Sequence, residues 1–294
     1  MPRGDCPARP NPDKSPMSSE GTESMQWTIR RTPAARRLLA GALVAAAASA
    51  GVAVLGAHDR AHAATWETLI ENSFQDRSTL VSEWNFLYPW GATHNGSAKM
   101  VASATDNSHV YLPSAGQLTI KASPVSGQGT IHYESGAIWA KDQVLVNDQY
   151  PNYELRGEFQ APSAKGTWPA FWLTGATSWP PEADILEFKG DARNWFNTYK
   201  NAAGGWSNTI VSVSSPASWH QYRIWMTKAN STDVNIDYYL DGTWQARHVG
   251  AGFVGKPMWI IINLQMEASS GTPGPTTDTY YSARNVYLGR SNNG

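Results

Sequence analysis

Three carboxylates lie close together in "PEADILEFKGD", residues 181–191. In a β-strand successive side chains alternate between two faces, so Glu182 and Asp184 share one face. Strict alternation would turn Glu187 to the opposite face, into a core where an unpaired charge is very costly. Either the strand ends before Glu187, or a β-bulge at the intervening Ile-Leu pair returns Glu187 to the carboxylate face. We favour the bulge, because it also lets both apolar residues enter the core.

Three acids on one open face can perform acid/base and nucleophilic chemistry. Two carboxyl groups about 5 to 5.5 Å apart are what a retaining glycosidase needs, one as nucleophile and one as acid/base. Asp184 between the outer two makes it costly to ionise all three, which favours one protonated acid beside one ionised nucleophile. A calcium site and a solvated acidic edge are the alternatives. The strand-like spacing fits calcium poorly, since calcium loops supply ligands at turn spacing.

The segment just before the acids carries two tryptophans at strand spacing. In "GTWPAFWLTG" Trp168 and Trp172 share a face with Ala170, whereas Phe171 and Leu173 share the other face. Indole rings bury a large apolar area on the flat faces of sugar rings. The chain has 14 tryptophans and only 16 % charged residues, which suits an uncharged partner such as a glycan. Alternatively, both side chains are core tryptophans of a sandwich.

The elements that must position these residues are predicted to be β-strands. Period-two alternation recurs between Gly, Pro, Asn and Asp, and no long helical periodicity or internal repeat is present. Asp241-Gly242 predicts a tight hairpin. Many short strands separated by turn signals indicate an all-β sandwich in one domain, residues 64–294. The predicted strands are 116–123, 153–161, 222–229, 234–240, 258–267 and 283–289.

The first 63 residues are predicted to be a disordered leader followed by an export signal. Translation starts at Met1 or at Met25, and paired arginines precede an apolar run over residues 38–57. Ala61-His62-Ala63 is a small-x-small cleavage site. The arginine pairs resemble a bacterial twin-arginine signal, so we expect a secreted, extracellular bacterial protein. An uncleaved membrane anchor is the alternative.

Charge and cysteine content exclude several classes of protein. The net charge of the 294 residues is −1, so neither nucleic acid nor an anionic membrane is an expected partner. The only cysteine, Cys6, precedes the predicted cleavage site. The mature domain must therefore be stable without a disulfide, and its length is sufficient for a core. We expect it to be a monomer.

The acidic segment resembles the signature of glycoside hydrolase family 16, E-x-D-x-x-E in its bulged form, as in laminarinases, agarases and carrageenases. Other blocks resemble that family in the same order, over about residues 70–290. These blocks are "YESGAIWAKD" (133–142), "YPNYELRGEFQAP" (150–162), "GTWPAFWL" (166–173), "WHQYRIWM" (219–226), "YYLDG" (238–242) and "PMWIIINLQM" (257–266).

The resemblance implies a concanavalin-like jelly-roll sandwich of two curved antiparallel sheets with an open glycan cleft on the concave face. It implies that Glu182 is the nucleophile, Asp184 the residue that orients it, and Glu187 the acid/base. No metal takes part in the chemistry, although the family often carries a structural calcium far from the cleft.

Further residues are expected to bind the glycan. The resemblance implies donor-side contacts from Trp90 and Asn95 and cleft positions for Trp168 and Trp172, and Trp179 is expected to cap the cleft. Asn263 and Gln265 share one face of their strand with Glu267, opposite Ile262, Leu264 and Met266, which predicts a polar side facing the cleft or water.

Two departures from the family pattern affect the predicted substrate. Many relatives place a histidine in the strand after the acids, where this chain has only Asn197 or Tyr199 as replacements. A Gly-rich step after the "NLQM" block is also absent, which weakens a β-1,3-glucan assignment. We expect a secreted endo-acting retaining hydrolase of a β-linked polysaccharide, with β-1,3- or β-1,3-1,4-glucan first and galactan or agar second. The alternatives are a lectin-like glycan-binding module, a transglycosylase and a polysaccharide lyase.

Overall fold

The computed structural model describes residues 65–200 and 204–292. The predicted leader, export signal and cleavage site, residues 1–63, lie outside these ranges. Within them, no helix is long and apolar enough to cross a membrane.

The described residues form mostly β-strands, with one short helix, α1 (Arg77–Glu83), whose N-cap Asp76 accepts a hydrogen bond from the Thr79 amide. A single 3₁₀ turn spans Ala268–Ser270. The strands are β1 (Trp66–Ile70), β2 (Trp84–Phe86), β3 (Ala98–Met100), β4 (Val110–Ser114), β5 (Gln117–Gln128), β6 (Ile131–Ser135), β7 (Ala137–Ala140), β8 (Asn152–Gln160), β9 (Thr167–Gly175), β10 (Glu182–Glu187), β11 (Arg193–Tyr199), β12 (Trp206–Ser212), β13 (His220–Lys228), β14 (Val234–Leu240), β15 (Thr243–Gly250), β16 (Met258–Met266) and β17 (Thr279–Ser291).

The strands form two sheets. The larger has ten strands in the order β15-β14-β13-β8-β17-β5-β6-β3, with β1 beside β17 and β4 beside β5. The smaller has seven, in the order β12-β11-β10-β9-β16-β7-β2. The pairings are antiparallel except for β3 with β6. The acidic strand β10 therefore lies inside the smaller sheet, between β9 and β11.

The core lies between the two sheets. Phe171 of β9 packs against Phe159 of β8, with ring centroids 4.8 Å apart, and Phe196 of β11 packs against Tyr238 of β14 at 5.1 Å. These side chains are fully buried. Burying large aromatic groups is the main favourable contribution to packing two such sheets. The face of the smaller sheet that turns away from this core carries the acids.

The six strands predicted from period-two alternation are confirmed, with ends shifted by a few residues. The predicted hairpin is also confirmed: Asp241 and Gly242 have φ of 50° and 76° between β14 and β15. Two successive positive φ values are what a type I′ turn requires.

Candidate active site

The bulge predicted in the acidic strand is present. Asp184 lies opposite Trp172 of β9, but Leu186 lies opposite Phe171, so one extra residue of β10 is inserted between these pairs. Ile185 and Leu186 are both fully buried in the core. Glu187 consequently returns to the face that carries Glu182 and Asp184.

Each of the three carboxyl groups is 2 % exposed and accepts hydrogen bonds. Glu182 Oε2 accepts from the indole nitrogen of Trp179 at 2.7 Å. Glu187 Oε1 accepts from the indole nitrogen of Trp168 at 2.8 Å. An indole can only donate, so both contacts orient a carboxylate oxygen without competing for a proton. The two outer acids are thus each held by the indole of a tryptophan.

Asn197 joins the other side of the acid cluster. Its Nδ2 donates to Asp184 Oδ2 at 2.9 Å and to Glu187 Oε2 at 2.6 Å. Its Oδ1 accepts from Asn208 Nδ2 at 2.8 Å, which fixes the amide with its nitrogen toward the acids. Asn197 therefore contacts two of the acids directly, and whether it or Tyr199 replaces the histidine of relatives stays a prediction.

A lysine completes the surroundings of Glu187. Lys189 Nζ lies 3.3 Å from Glu187 Oε2 and 4.5 Å from the centre of the Trp195 ring. Arg193, the other nearby cation, pairs with Asp191. Both cations are thus paired with acids, so this end of the site presents no excess positive charge.

A buried polar network supports β11 from behind. The Tyr238 hydroxyl donates to the backbone oxygen of Asn197 at 2.7 Å and contacts Thr198 Oγ1 at 2.7 Å. His248 Nδ1 lies 3.1 Å from Thr198 Oγ1, and its Nε2 lies 3.0 Å from Thr209 Oγ1. Burial lowers the pKa of His248 to about 4, and the charge of Lys200 acts in the same direction. His248 is therefore neutral at neutral pH.

Replacement of His248 by glutamine is expected to reduce the loss of stability in mild acid. Protonation is disfavoured in the folded state, so the unfolded chain binds more protons between the unfolded pKa of 6.5 and the folded pKa of about 4. Stability then falls as pH drops through this window, by up to about 3 kcal/mol from this group. The free energy of unfolding in urea, measured at pH 7 and pH 4.5, should fall less in the variant. An equal fall in both proteins would contradict the assignment.

The tryptophans predicted as open stacking platforms are covered. Trp168 and Trp172 do lie on the acid face, but only 6 % and 3 % of their surfaces are exposed. The ring of His94 stacks on Trp172, with centroids 5.8 Å apart and an interplanar angle of 19°. Their indole nitrogens orient other groups: Trp168 donates to Glu187, and Trp172 donates to Asn263 Oδ1 at 2.8 Å. Their role in glycan binding stays a prediction.

The loop after β2 lies beside Trp172. Trp90 stacks on Tyr88 at 5.2 Å and contacts Trp172 edge-on at 6.1 Å. Asn95 Nδ2 donates to His94 Nε2 at 3.2 Å. Trp90 thus lies beside Trp172 and Asn95 beside His94, and their role as glycan contacts stays a prediction.

Asn263 and Gln265 are the two polar residues of β16 predicted to bind glycan. Asn263 accepts a hydrogen bond from Trp172, and its binding role stays a prediction. Gln265 Oε1 accepts from the amides of Ala98 and Met266, and its Nε2 donates to the carbonyls of His94 and Ala98. This uses both lone pairs and both protons of the amide. Gln265 therefore anchors the loop, and its predicted role in glycan binding stays a prediction. A Cβ at Gly96 would lie 2.5 Å from Gln265, so this anchor requires glycine there.

Trp179 lies at the Glu182 end of the acid row. Besides donating to Glu182, its ring stacks on Tyr199 with centroids 4.2 Å apart, and Tyr199 contacts Trp206 edge-on. Trp179 is only partly buried. The prediction that it covers one end of a cleft agrees with this position, and its role in glycan binding stays a prediction.

Sequence reasoning missed an aromatic pair on the same face of the sheet, at its β7–β16 end. Trp139 of β7 and Trp259 of β16 pack edge-on at 5.6 Å, and Trp259 also contacts Trp90 at 6.5 Å. Both are partly buried. Trp259 could have been predicted, because it lies four residues before Asn263 in the same strand and therefore shares its face. These indoles offer more open ring surface than Trp168 and Trp172.

The segment after β16 is held by a buried carboxylate. Burial raises the pKa of Glu267, but hydrogen bonds from Ser97, His132, Thr272 and the Gly274 amide outweigh it and lower the pKa to about 2. Glu267 has a φ of 59°, unusual for a residue with a side chain. The polar face predicted for β16 thus ends in a structural anchor.

Among residues 65–200 and 204–292, no group of three or more His, Cys, Asp or Glu side chains could hold an ion. The structural calcium implied by the family resemblance stays a prediction.

Comparisons with known proteins agree with this geometry. A family model described as "Glycosyl hydrolases family 16" matches residues 99–282. A galactan endo-beta-1,3-galactanase of Flammulina velutipes is 45 % identical over 233 residues, which cover 76 % of this chain and 89 % of that protein. An endo-1,3-1,4-beta-glycanase of Rhizobium meliloti is 29 % identical over 223 residues, 69 % of this chain but only 46 % of that protein.

Solved structures have the same fold. The crystal structure of an endo-1,3-beta-glucanase from Streptomyces sioyaensis superposes with a TM-score of 0.62 at 20 % identity, covering 78 % of this chain and 97 % of that chain. A laminarinase catalytic domain from Thermotoga maritima gives 0.58 at 19 % identity, covering 78 % and 99 %. The predicted jelly-roll sandwich is confirmed.

Proposed function

Because this chain belongs to glycosyl hydrolase family 16, we propose that it cleaves a β-1,3-linked galactan with retention of anomeric configuration. The chain is an endo-acting glycanase of that family. The observation that supports the proposed mechanism is the bulge at Ile185, which leaves Glu182 and Glu187 on one face of β10. A two-step displacement needs two carboxyl groups that reach the same glycosidic bond.

In the first step Glu187 protonates the oxygen of the scissile bond while a Glu182 oxygen attacks the anomeric carbon. The C–O bond breaks, the acceptor-side oligosaccharide leaves as an alcohol, and a glycosyl ester forms on Glu182. In the second step the Glu187 carboxylate removes a proton from water, which attacks the same carbon and frees Glu182. Two inversions give net retention.

Asp184 is proposed to restrain the cluster without reacting itself. Through Asn197 it shares one amide nitrogen with Glu187, which keeps these two side chains at a fixed separation. Fixed donors around a reacting centre need no rearrangement during the reaction. The indole of Trp179 serves Glu182 in the same way.

The galactan assignment reverses the order expected from the sequence, where β-glucan came first. It is supported by the 45 % identity with a galactan endo-beta-1,3-galactanase. The lack of a histidine in β11 and the missing Gly-rich step after β16 also favour a substrate other than β-1,3-glucan.

Products from a panel of glycans test the proposed substrate and stereochemistry. We expect β-1,3-galactan, and arabinogalactan to a smaller extent, to release galacto-oligosaccharides, while laminarin, lichenan, agarose and carrageenan release little. Proton NMR should detect the β-anomer of the new reducing end before mutarotation. Release from laminarin or lichenan alone would overturn the galactan assignment. A first-formed α-anomer would overturn retention, and no turnover on any glycan would favour a lectin-like module.

We further propose that the enzyme is an exported bacterial monomer, carried by the twin-arginine route. This rests on the arginine pairs and the Ala61-His62-Ala63 site of the leader. Sequencing of the protein from culture medium should give an N-terminus at Ala64, and light scattering should give the monomer mass. Retention of the protein in the membrane fraction would favour the uncleaved anchor.

A further inference from the structure

The bulge that brings Glu187 to the acid face interrupts the ladder between β10 and β11. The strands pair from Glu182 opposite Tyr199 to Asp184 opposite Asn197, and an isolated bridge between Phe188 and Asn194 follows. Between these points three residues of β10 face two residues of β11. Buried backbone groups left without a partner are strongly destabilising. Something must satisfy them for the bulge to persist.

The side chain of Asn194 takes the place of the missing ladder bonds. Its Oδ1 accepts from the Glu187 amide at 2.9 Å, and its Nδ2 donates to the Ile185 carbonyl at 3.2 Å. Asn194 is fully buried. Since one partner can only donate and the other can only accept, the amide orientation is fixed. A side-chain amide meets both needs, whereas an aliphatic residue meets neither.

From this geometry we propose that Asn194 is a positioning residue, which holds the bulge in the form that turns the Glu187 carboxyl toward the substrate. The inference rests on the proposed function, in which Glu187 is the acid/base. Trp168, Asn197 and Lys189 contact the carboxylate of Glu187. Asn194 instead acts on the backbone from which that carboxylate projects, and it makes no contact with the substrate.

Leaving-group dependence tests this role. Phenyl glycosides need protonation to leave, whereas 2,4-dinitrophenyl glycosides do not, so a displaced acid/base slows the first far more than the second. For Asn194→Ala we expect kcat/KM to fall about 10²-fold with phenyl β-galactobioside and only about threefold with the dinitrophenyl glycoside. Azide should raise turnover of the dinitrophenyl substrate and yield β-galactobiosyl azide, because azide needs no general base.

A merely structural role predicts different results. Loss of folded protein would lower both rates by the same factor, and azide would have no effect. The matched control is Asn152→Ala, which removes an amide that donates to Ser291 Oγ in the larger sheet. It should leave the ratio of the two rates unchanged. If Asn194→Ala does not fold, Asn194→Ser is measured in the same way.

The outcomes separate this inference from the proposed function. A wild-type enzyme that hydrolyses neither galactan nor either glycoside refutes the proposed function. A wild-type enzyme that is active, with Asn194 variants that lose both rates equally or lose nothing, refutes the role of Asn194 alone.

Discussion

Replacement of Glu182 by glutamine is expected to lower kcat on galactan by on the order of 10⁴-fold or more. Glutamine has nearly the same shape, and its oxygen can still accept the 2.7 Å hydrogen bond from Trp179. Its amide cannot form the glycosyl ester, however. Affinity for product oligosaccharides, measured by calorimetry, should stay within about threefold, because the lost interaction belongs to the transition state.

The control for Glu182→Gln is a glutamate-to-glutamine substitution in the larger sheet, away from the acids. Glu158 of β8 pairs with Arg284 in the larger sheet, so Glu158→Gln should leave kcat unchanged. If Glu182→Gln kept more than about a tenth of the wild-type kcat, Glu182 would not be the nucleophile. Loss of turnover together with loss of oligosaccharide affinity would point instead to collapse of the cleft.

The smaller variant Glu182→Ala gives a stereochemical test of the same role. With 2,4-dinitrophenyl β-galactobioside as substrate, azide can enter the space of the missing carboxylate and attack the anomeric carbon directly. One displacement inverts the configuration, so the expected product is the α-azide. A β-azide would place the nucleophile elsewhere in the cluster.

The bulge could be predicted from the sequence because two local rules conflict there. Period-two alternation places Glu187 in the core, and the cost of burying a lone charge forbids it. Either a strand end before Glu187 or an extra residue in the strand reconciles the two, and the apolar Ile185-Leu186 pair favours the extra residue. The strands and the Asp241-Gly242 hairpin were predictable for the same reason, since each depends on neighbours in sequence.

The surroundings of the acids could not be predicted in this way. Strand parity placed Trp172 on the correct face, but it contains no information about the loop that stacks His94 upon it. The partners of Asn194 are backbone groups of another strand, so its role depends on the register between β10 and β11. The sequence likewise predicts Gln265 to be a free polar group, because it contains no information about the four backbone contacts of this side chain.

Replacement of Glu187 by alanine is expected to lower kcat on galactan by about 10² to 10⁴-fold, the usual contribution of a general acid/base. With 2,4-dinitrophenyl β-galactobioside as substrate, the variant should form the glycosyl ester at nearly the wild-type rate, because this leaving group needs no proton. Breakdown of the ester then becomes slow, and a burst of dinitrophenol should precede a low steady rate.

Azide should accelerate that steady rate and give the β-azide, since it attacks the ester formed on Glu182 and so completes a second inversion. Opposite azide anomers from the Glu182→Ala and Glu187→Ala variants would therefore identify the two roles independently of any rate. The reverse pairing of anomers would exchange the roles.

Asp184→Asn serves as the matched control for the Glu187 experiment. Asp184 shares the Asn197 amide with Glu187 but neither bonds to the sugar nor transfers the leaving-group proton in this scheme. Its loss should slow turnover without producing an azide adduct of either configuration. An azide adduct from Asp184→Asn would mean that the middle acid reacts directly, and the division between two reacting acids and one restraining acid would be wrong.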